Sequence, residues 1–224
     1  MDDNFDALRG IFDARYSCRA FRPDPLPDET IRQIVSTAGR APSWCNAQPW
    51  QVTITRGDET ERFRTALLDA VTNEKPNPDF AWPNAYPGAT GTRRRICGFQ
   101  LYESVGIARG DQEARHRQSM ENYRLFGAPH VAIISSESDL GAYGALDCGG
   151  FVTAFTLAAT ALGVATIAQA SVAAYPQMIR QHFDLPENRL VLCAISFGYA
   201  DPDHPANGFR TERAGLAEIY DPRG

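Results

Sequence analysis

The stretch from about residue 143 to Ala170 constrains the fold more than any other part of this chain. Residues 143–162 read as a long apolar helix. Gly163 then stands where a helix C-terminus favours glycine, and Val164–Ala168 reads as a strand. A helix this apolar needs a sheet or other helices to cover it. The longest apolar run, Phe151–Ala170, is broken by Gly163 and dotted with Thr, Ala and Gln, so it is expected to be core rather than a membrane span. Leu190–Tyr199 (LVLCAISFGY) is the strongest buried strand, His130–Ser136 (HVAIISS) a shorter one, and Trp50–Arg56 (WQVTITR) alternates as a half-buried strand should.

Helical spacing predicts helices over 4–15 (Phe5, Leu8, Phe12, with Asp3 or Asn4 as cap) and from Asp28 (Ile31, Ile34, Val35, Ala38). Another is expected from Asp58, with Glu61 in capping-box-like spacing and Phe63, Leu67 and Val71 on its apolar side. Further helices are expected at about 93–108, at 112–126 behind an Asp111 cap, and at Tyr175–Phe183 with Pro176 in the first turn. The segment 72–92 is dense in Pro, Asn and Gly and predicts a loop serving as a lid or a dimer-wrapping excursion. Few strands among many helices predict an α+β fold, a small mixed sheet surrounded by helices. The chain is read as one domain, 1–224, with an excursion at about 72–126 and a C-terminal tail at 201–224. No GxGxxG or GxxxxGK[ST] loop follows a strand, so Rossmann and P-loop readings lack their signal.

A net charge of −5 and a pI near 5.4 argue against nucleic acid or anionic membranes as partners. Five scattered cysteines, with no CxxC pair and no Cys/His cluster, indicate neither a disulfide framework nor a metal site. The acidic N-terminus MDDNFDALRG has no apolar h-region, and a reduced, cytoplasmic protein is expected.

Four polar constellations could carry chemistry. In RYSCR, period-two alternation sends Arg15, Ser17 and Arg19 to one face and Tyr16, Cys18 and Ala20 to the other. Two guanidinium groups and a hydroxyl on one face suit an anionic ligand, though a solvent-facing strand edge would look the same. In APSWCNAQPW, Pro42 and Pro49 force a loop around Ser43, Trp44, Asn46 and Gln48, whose amides could read a heterocycle edge or simply cap a helix end. In IAQASVAAYP, the small residues around Gln169, Ala170 and Ser171 would let backbone approach a flat ring, or make a tight strand-to-helix connection. In the tail, FRTER places Arg210 and Arg213 close together.

In this order the constellations resemble the FMN-dependent nitroreductase family, and within it the nitrobenzoate- and nitroaromatic-reducing branch. The matching stretches are RYSCRAF, APSWCNAQPW, FGAPHVAII, the apolar helix ending in ALG, AQASVAAYP, ISFGYADP and RTERAGLAEI, spanning about residues 7–220. The resemblance implies an intertwined homodimer with FMN at the subunit interface, NADPH or NADH as donor, and a small nitroaromatic or quinone-like acceptor in a ping-pong reaction. It implies that Arg15, Tyr16 and Ser17 hold the phosphate and ribityl end, and that Arg19 sits by the pyrimidine edge. It further implies that Pro42, Ser43, Trp44 and Asn46 reach the partner subunit's FMN, that Gln169, Ala170 and Ser171 lie near flavin N5, and that Arg210 and Arg213 complete the phosphate clamp. Tyr123 and Phe126 are the candidates for the substrate pocket. No catalytic acid or base is named, because the flavin carries the chemistry. Many members place Pro and Glu-Gly where this chain has Ala168 and Ala170-Ser171. Another flavin chemistry, such as reductive dehalogenation or enone reduction, or a non-catalytic flavin sensor, is the alternative.

Overall fold

The computed structural model describes residues 3–223. Its strands are β1 (Gln51–Ile54), β2 (His130–Glu137), β3 (Ala165–Gln169) and β4 (Arg189–Gly198), in one sheet of order β1-β2-β4-β3. Eight α-helices are described: α1 (Asp3–Ala14), α2 (Asp28–Ala38), α3 (Asp58–Asn73), α4 (Gly88–Ser104), α5 (Gln112–Met120), α6 (Gly141–Ala161), α7 (Pro176–Phe183) and α8 (Leu216–Ile219). The α+β class is as the sequence predicts. The sheet differs from the mixed one expected, since all three strand pairings are antiparallel and the parallel element is a single bridge, Ser17 to Thr166.

Strand alternation builds two cores. Ala132 and Ile134 of β2 face Ile195 and Phe197 of β4 on one side, where α2 and α6 cover them. Val131 and Ile133 face the other side with Val191 and Ala194, under α3 and α7. A bulge between Ile134 and Ser135 leaves Leu192 as an extra residue on β4, and this turns Val191 onto the same face as Ala194. Helix α6 buries the stripe Gly144, Cys148, Phe151 and Phe155. Phe155 meets Phe197 edge-on at 5.4 Å, and Phe151 stacks on Trp50 at 5.3 Å. A Cβ at Gly144 would stand 2.9 Å from Ser136 Oγ, so only glycine lets α6 start this close to β2. By length and composition alone Ser138–Ala161 could cross a membrane, a test that a core helix also passes. Its buried stripe on the sheet marks it as a core helix.

Several element ends differ from expectation. Helix α3 starts at Asp58 without a side-chain cap, because its N-cap is Gly57, which has no side chain, and Glu61 pairs with Arg64 rather than completing a capping box. The structureless part of 72–92 shrinks to 74–87, since α4 begins at Gly88. Asp79 anchors this loop, accepting from Arg180 Nη1 at 2.7 Å and from Val191 N–H at 2.8 Å. Asp111 does cap α5, accepting from Ala114 N–H at 2.9 Å. That helix nevertheless stops at Met120, and Leu125 and Phe126 take positive φ (56° and 52°) in a turn that Arg64 holds by donating to Arg124 and Ala128 carbonyls. Tyr175 precedes α7 rather than opening it. Asp3 and Asn4, the expected caps, both lie inside α1 as its first two residues. The apolar stripe of α1 is exposed, with Phe5 at 62%.

His130 ties the sheet to the segment before α2. Its buried ring accepts from Leu26 N–H at Nε2 (2.9 Å), and Nδ1 lies 3.1 Å from Thr55 C=O, to which it donates in that tautomer. Burial lowers its pKa below the ordinary 6.5; Arg56 adds to this, while the Thr55 contact and Asp28 oppose it. The unfolded chain therefore takes up this proton at higher pH than the folded one. Its contribution is complete above about pH 6.5 and is lost as pH falls through the lower folded value. His130→Ala should destabilise the protein by about 2 kcal/mol at pH 7.5. The gap should narrow on acidification below about pH 6.5 in urea titrations; a gap constant down to pH 5 would contradict this assignment.

Candidate functional site

Arg15 follows α1 directly, its N–H still donating to Ile11 C=O at 3.0 Å. The chain then runs extended along the edge of β3. Ser17 bridges Thr166, Cys18 N–H donates to Thr166 C=O at 3.0 Å, and Phe21 pairs with Ala200. As the alternation requires, Cys18 and Ala20 are buried, and Arg15, Ser17 and Arg19 face an open groove; Tyr16, expected on the buried side, is half-buried and lines the groove as well. Three cavities of about 240, 220 and 370 Å³ meet there, and Ser17 lines all three.

The first cavity gathers Arg15, Arg19, Arg210 and Arg213 around Tyr16 and Ser17, with Cys97 of α4 and Phe209 completing the wall. Asp13 is the one carboxylate lining it. Arg15 is held below the ordinary arginine pKa by burial and then by the nearby charge of Arg213. Arg19 is lowered by burial. Arg210 lies over the Tyr16 ring at 3.8 Å, and Arg19 over Phe209 at 5.5 Å. Arg19 Nη1 donates to Ser17 C=O (3.1 Å), and Arg213 Nη1 to Thr211 Oγ1 (2.7 Å). Four cations face one space with one acid beside them, and the group that fits such a space is a multiply charged anion.

The largest of the three cavities opens over the end of β3. Ala168 and Ala170 are exposed and give it a flat, small-residue wall, next to Ser171. Gln169 is 2% exposed and turns inward. Its Oε1 accepts from Ser196 Oγ (2.5 Å) and its Nε2 donates to Asn122 C=O (2.8 Å), while Ser171 Oγ donates to Asn122 Oδ1 (3.2 Å). The Gln169 amide thus holds the backbone of 169–171 in place rather than facing the opening. Asn122, which also lines this cavity, is a site residue that sequence reasoning missed, hidden in a segment read as continuous helix. Cys97, Phe209 and Asn207 were missed too, having no pattern of their own.

Pro42, Ser43, Trp44 and Asn46 are not brought to this groove within the chain. They sit beside the start of α6, in a short turn where Cys45, Asn46 and Gln48 all have positive φ (51°, 56°, 49°). Ser43 Oγ accepts from Gln48 N–H at 2.9 Å, Trp44 N–H donates to the Asp147 carboxylate at 3.0 Å, and the Trp44 ring meets Tyr143 at 4.3 Å. Trp44 remains 57% exposed. Non-glycine residues held at positive φ carry roughly 1–3 kcal/mol of strain each, less for asparagine, so this turn is built for display rather than for packing. Of the substrate candidates, Phe126 is buried against Cys18, Phe21 and Ile167 and contributes to the groove's floor. Tyr123 points to the opposite core, meeting Tyr175 at 6.0 Å, because the helix carrying it ends early. Among the described residues no group of three or more His, Cys, Asp or Glu converges as a metal site.

A family model described as the nitroreductase family matches residues 13–199. The chain belongs to the nitroreductase family. It is 38% identical over 217 residues to the nitroreductase NfnB of Mycolicibacterium smegmatis, covering 96% of this chain and 92% of that one. It is 30% identical to a 4-nitrobenzoate reductase of Pseudomonas putida, covering 95% and 92%. The crystal structure of the FMN-dependent NfnB from Mycobacterium smegmatis in complex with NADPH superposes with a TM-score of 0.95 at 37% identity, covering 99% of this chain and all of that one.

Crowded like charge gives this nitroreductase-family groove a testable property. Among the described residues no hydrogen bond or ion pair holds the Arg15 side chain and the charge of Arg213 opposes it, so Arg15→Ala in cofactor-free protein should keep or slightly raise the melting temperature. Added inorganic phosphate should raise the melting temperature of the wild type clearly more than that of the variant. Equal shifts in a thermal-melt series would place Arg15 away from the anion site.

Proposed function

We propose that this chain is an FMN-dependent oxidoreductase that uses NAD(P)H to reduce nitroaromatic or related electron-poor acceptors, working as a homodimer. The observation that carries the reading is the convergence of Arg15, Arg19, Arg210 and Arg213 on one cavity that continues onto the open Ala168–Ser171 edge. Arg15, Arg210 and Arg213 suit a phosphate, and Tyr16 supports Arg210 from below. Ser17, common to the three cavities, can bond a ribityl hydroxyl. Arg19 lines both the cationic cavity and the flat one, where its charge would favour electron density on the flavin pyrimidine. FMN, when bound, supplies two-electron redox chemistry between NAD(P)H and the acceptor. The protein's part is to hold the cofactor, keep the Ala168–Ser171 wall narrow, and admit donor and acceptor in turn to the same opening, a ping-pong order. NfnB and the 4-nitrobenzoate reductase are named for nitro reduction, which supports this acceptor class.

Unpartnered apolar surface supports the dimer. Helix α6 exposes Tyr143 and Leu146 (68%), and its neighbours Gly149 and Gly150 have open space where a Cβ would stand. Phe5, Leu8 and Phe12 of α1 and Leu216, Ile219 and Tyr220 of the tail are exposed as well. So much apolar area on one chain is the mark of an interface. In this reading Pro42, Ser43, Trp44 and Asn46, held beside α6, reach the cofactor of the other subunit.

Purified protein should carry flavin absorbance and oxidise NADPH in the presence of 4-nitrobenzoate. Flavin-loaded protein that turns over no nitroaromatic would sink the nitroreductase reading and favour another flavin chemistry. Protein that takes up no FMN on titration would sink the flavin reading itself. Gly149→Arg, placed where the monomer leaves room, should convert a dimer to a monomer in light scattering and weaken FMN retention. An unchanged dimer mass would remove α6 from the interface.

A further inference from the structure

We infer that Asn207 is the positioning residue that aligns the two halves of the cationic cavity, and so sets the chain's preference for a phosphorylated flavin. The inference rests on the FMN reading above. Arg15 and Arg19 come from the segment after α1, Arg210 and Arg213 from the tail, and nothing in sequence proximity holds these together. The residue that joins them is Asn207, in the turn Pro205–Asn207 and only 5% exposed. Its Oδ1 accepts from Arg19 N–H at 2.7 Å, and its Nδ2 donates to Ala20 C=O at 2.9 Å and to Asp201 C=O at 2.8 Å. Its own C=O accepts from Arg210 Nη1 at 2.9 Å. The Asn207 side chain thus ties the backbone of Arg19 and Ala20 to the tail at Asp201, and its backbone carbonyl, which any residue there would keep, receives Arg210 from a turn placed by that tie.

The chemistry explains why the residue is asparagine. A side-chain amide presents a donor and an acceptor together, as a paired strand would, and here both ends meet backbone. Aspartate could accept from Arg19 N–H but would set a charge against two carbonyl oxygens. An apolar residue would leave the Arg19 N–H and the Asp201 carbonyl without their partner, while Ala20 C=O would keep only Asp201 N–H and the Cys18 thiol. Both ends of the amide are already engaged, so Asn207 acts by holding the tail against the backbone of Arg19 and Ala20 and not by touching the cofactor.

Riboflavin, which is FMN without its phosphate, separates this role from general support of the fold. Dissociation constants for FMN and riboflavin, read by quenching of flavin fluorescence on cofactor-free protein, should differ widely for the wild type. In Asn207→Ala the FMN constant should rise about tenfold or more while riboflavin changes by about twofold or less, so that the preference collapses. If both constants rise by the same factor, Asn207 is merely structural and the inference fails; it fails equally if neither changes. A wild type that binds FMN and riboflavin alike would instead overturn the phosphate reading of the cavity, independently of Asn207. A thermal melt of each cofactor-free variant checks folding. Should Asn207→Ala not fold, Asn207→Ser, neutral and too short to span both partners, carries the same comparison.

Discussion

Like charges held at close quarters dominate this structure. Four arginines face one cavity, and burial together with the charge of Arg213 already makes Arg15 give up its proton more readily than a free side chain would. Such an arrangement is unfavourable until an anion enters. The fold sustains it by mooring each arm: segment 15–21 to the edge of β3, and the tail to that segment through Asn207. Tyr16 and Phe209 give two of the guanidinium groups aromatic faces to lie on, an attraction that offsets part of the repulsion between them. The two cores on either side of the sheet have no direct part in this, but they fix the β3 edge against which everything else is placed.

Much of the scaffold was legible in the sequence, because burial on one face leaves a period. Ile31, Ile34 and Ala38 on α2, Phe63 and Leu67 on α3, and the strands around Ile133 and Ile195 declare themselves that way. The orientation of Arg15, Ser17 and Arg19 was legible too, since an extended chain alternates. Element ends were less so. Helix α5 stops at Met120 because a turn with two positive-φ residues follows, and neither Leu125 nor Phe126 is a residue type that announces one. Tyr123 was misplaced for the same reason. Asn122 and Asn207 could not be found from sequence, because their roles come from partners far along the chain: Asn122 bonds residues 169 and 171, Asn207 residues 19 and 20. The family resemblance pointed to the tail arginines, but not to the residue that holds them in place.

The same molecule leaves much of its apolar surface uncovered within one chain. Helix α1 shows the periodicity of a buried helix and yet has no buried residue among those described. The strained turn at Cys45–Gln48 presents Trp44 outward, with Asp147 and Tyr143 steadying it from α6. Helix α8 joins the rest by the Arg93–Glu218 ion pair while its apolar residues stay exposed. Each is a local departure from the rule that apolar surface is covered and backbone relaxed. All are relieved together if a second copy of the chain completes the cofactor site, which would make cofactor binding and assembly a single property of the molecule.

Phosphorus NMR of FMN bound to the protein tests the central claim directly, because it reads the charge of the phosphate where it sits. Free phosphate monoesters take up a proton near pH 6, giving a resonance that moves with pH. Surrounded by Arg15, Arg210 and Arg213, the phosphate should stay fully ionised, since nearby cations stabilise its charged form. The bound resonance should then hold its position from about pH 7.5 down to about pH 5. A bound resonance that moves through a midpoint near pH 6, as the free ester does, would show that these three arginines do not hold the phosphate.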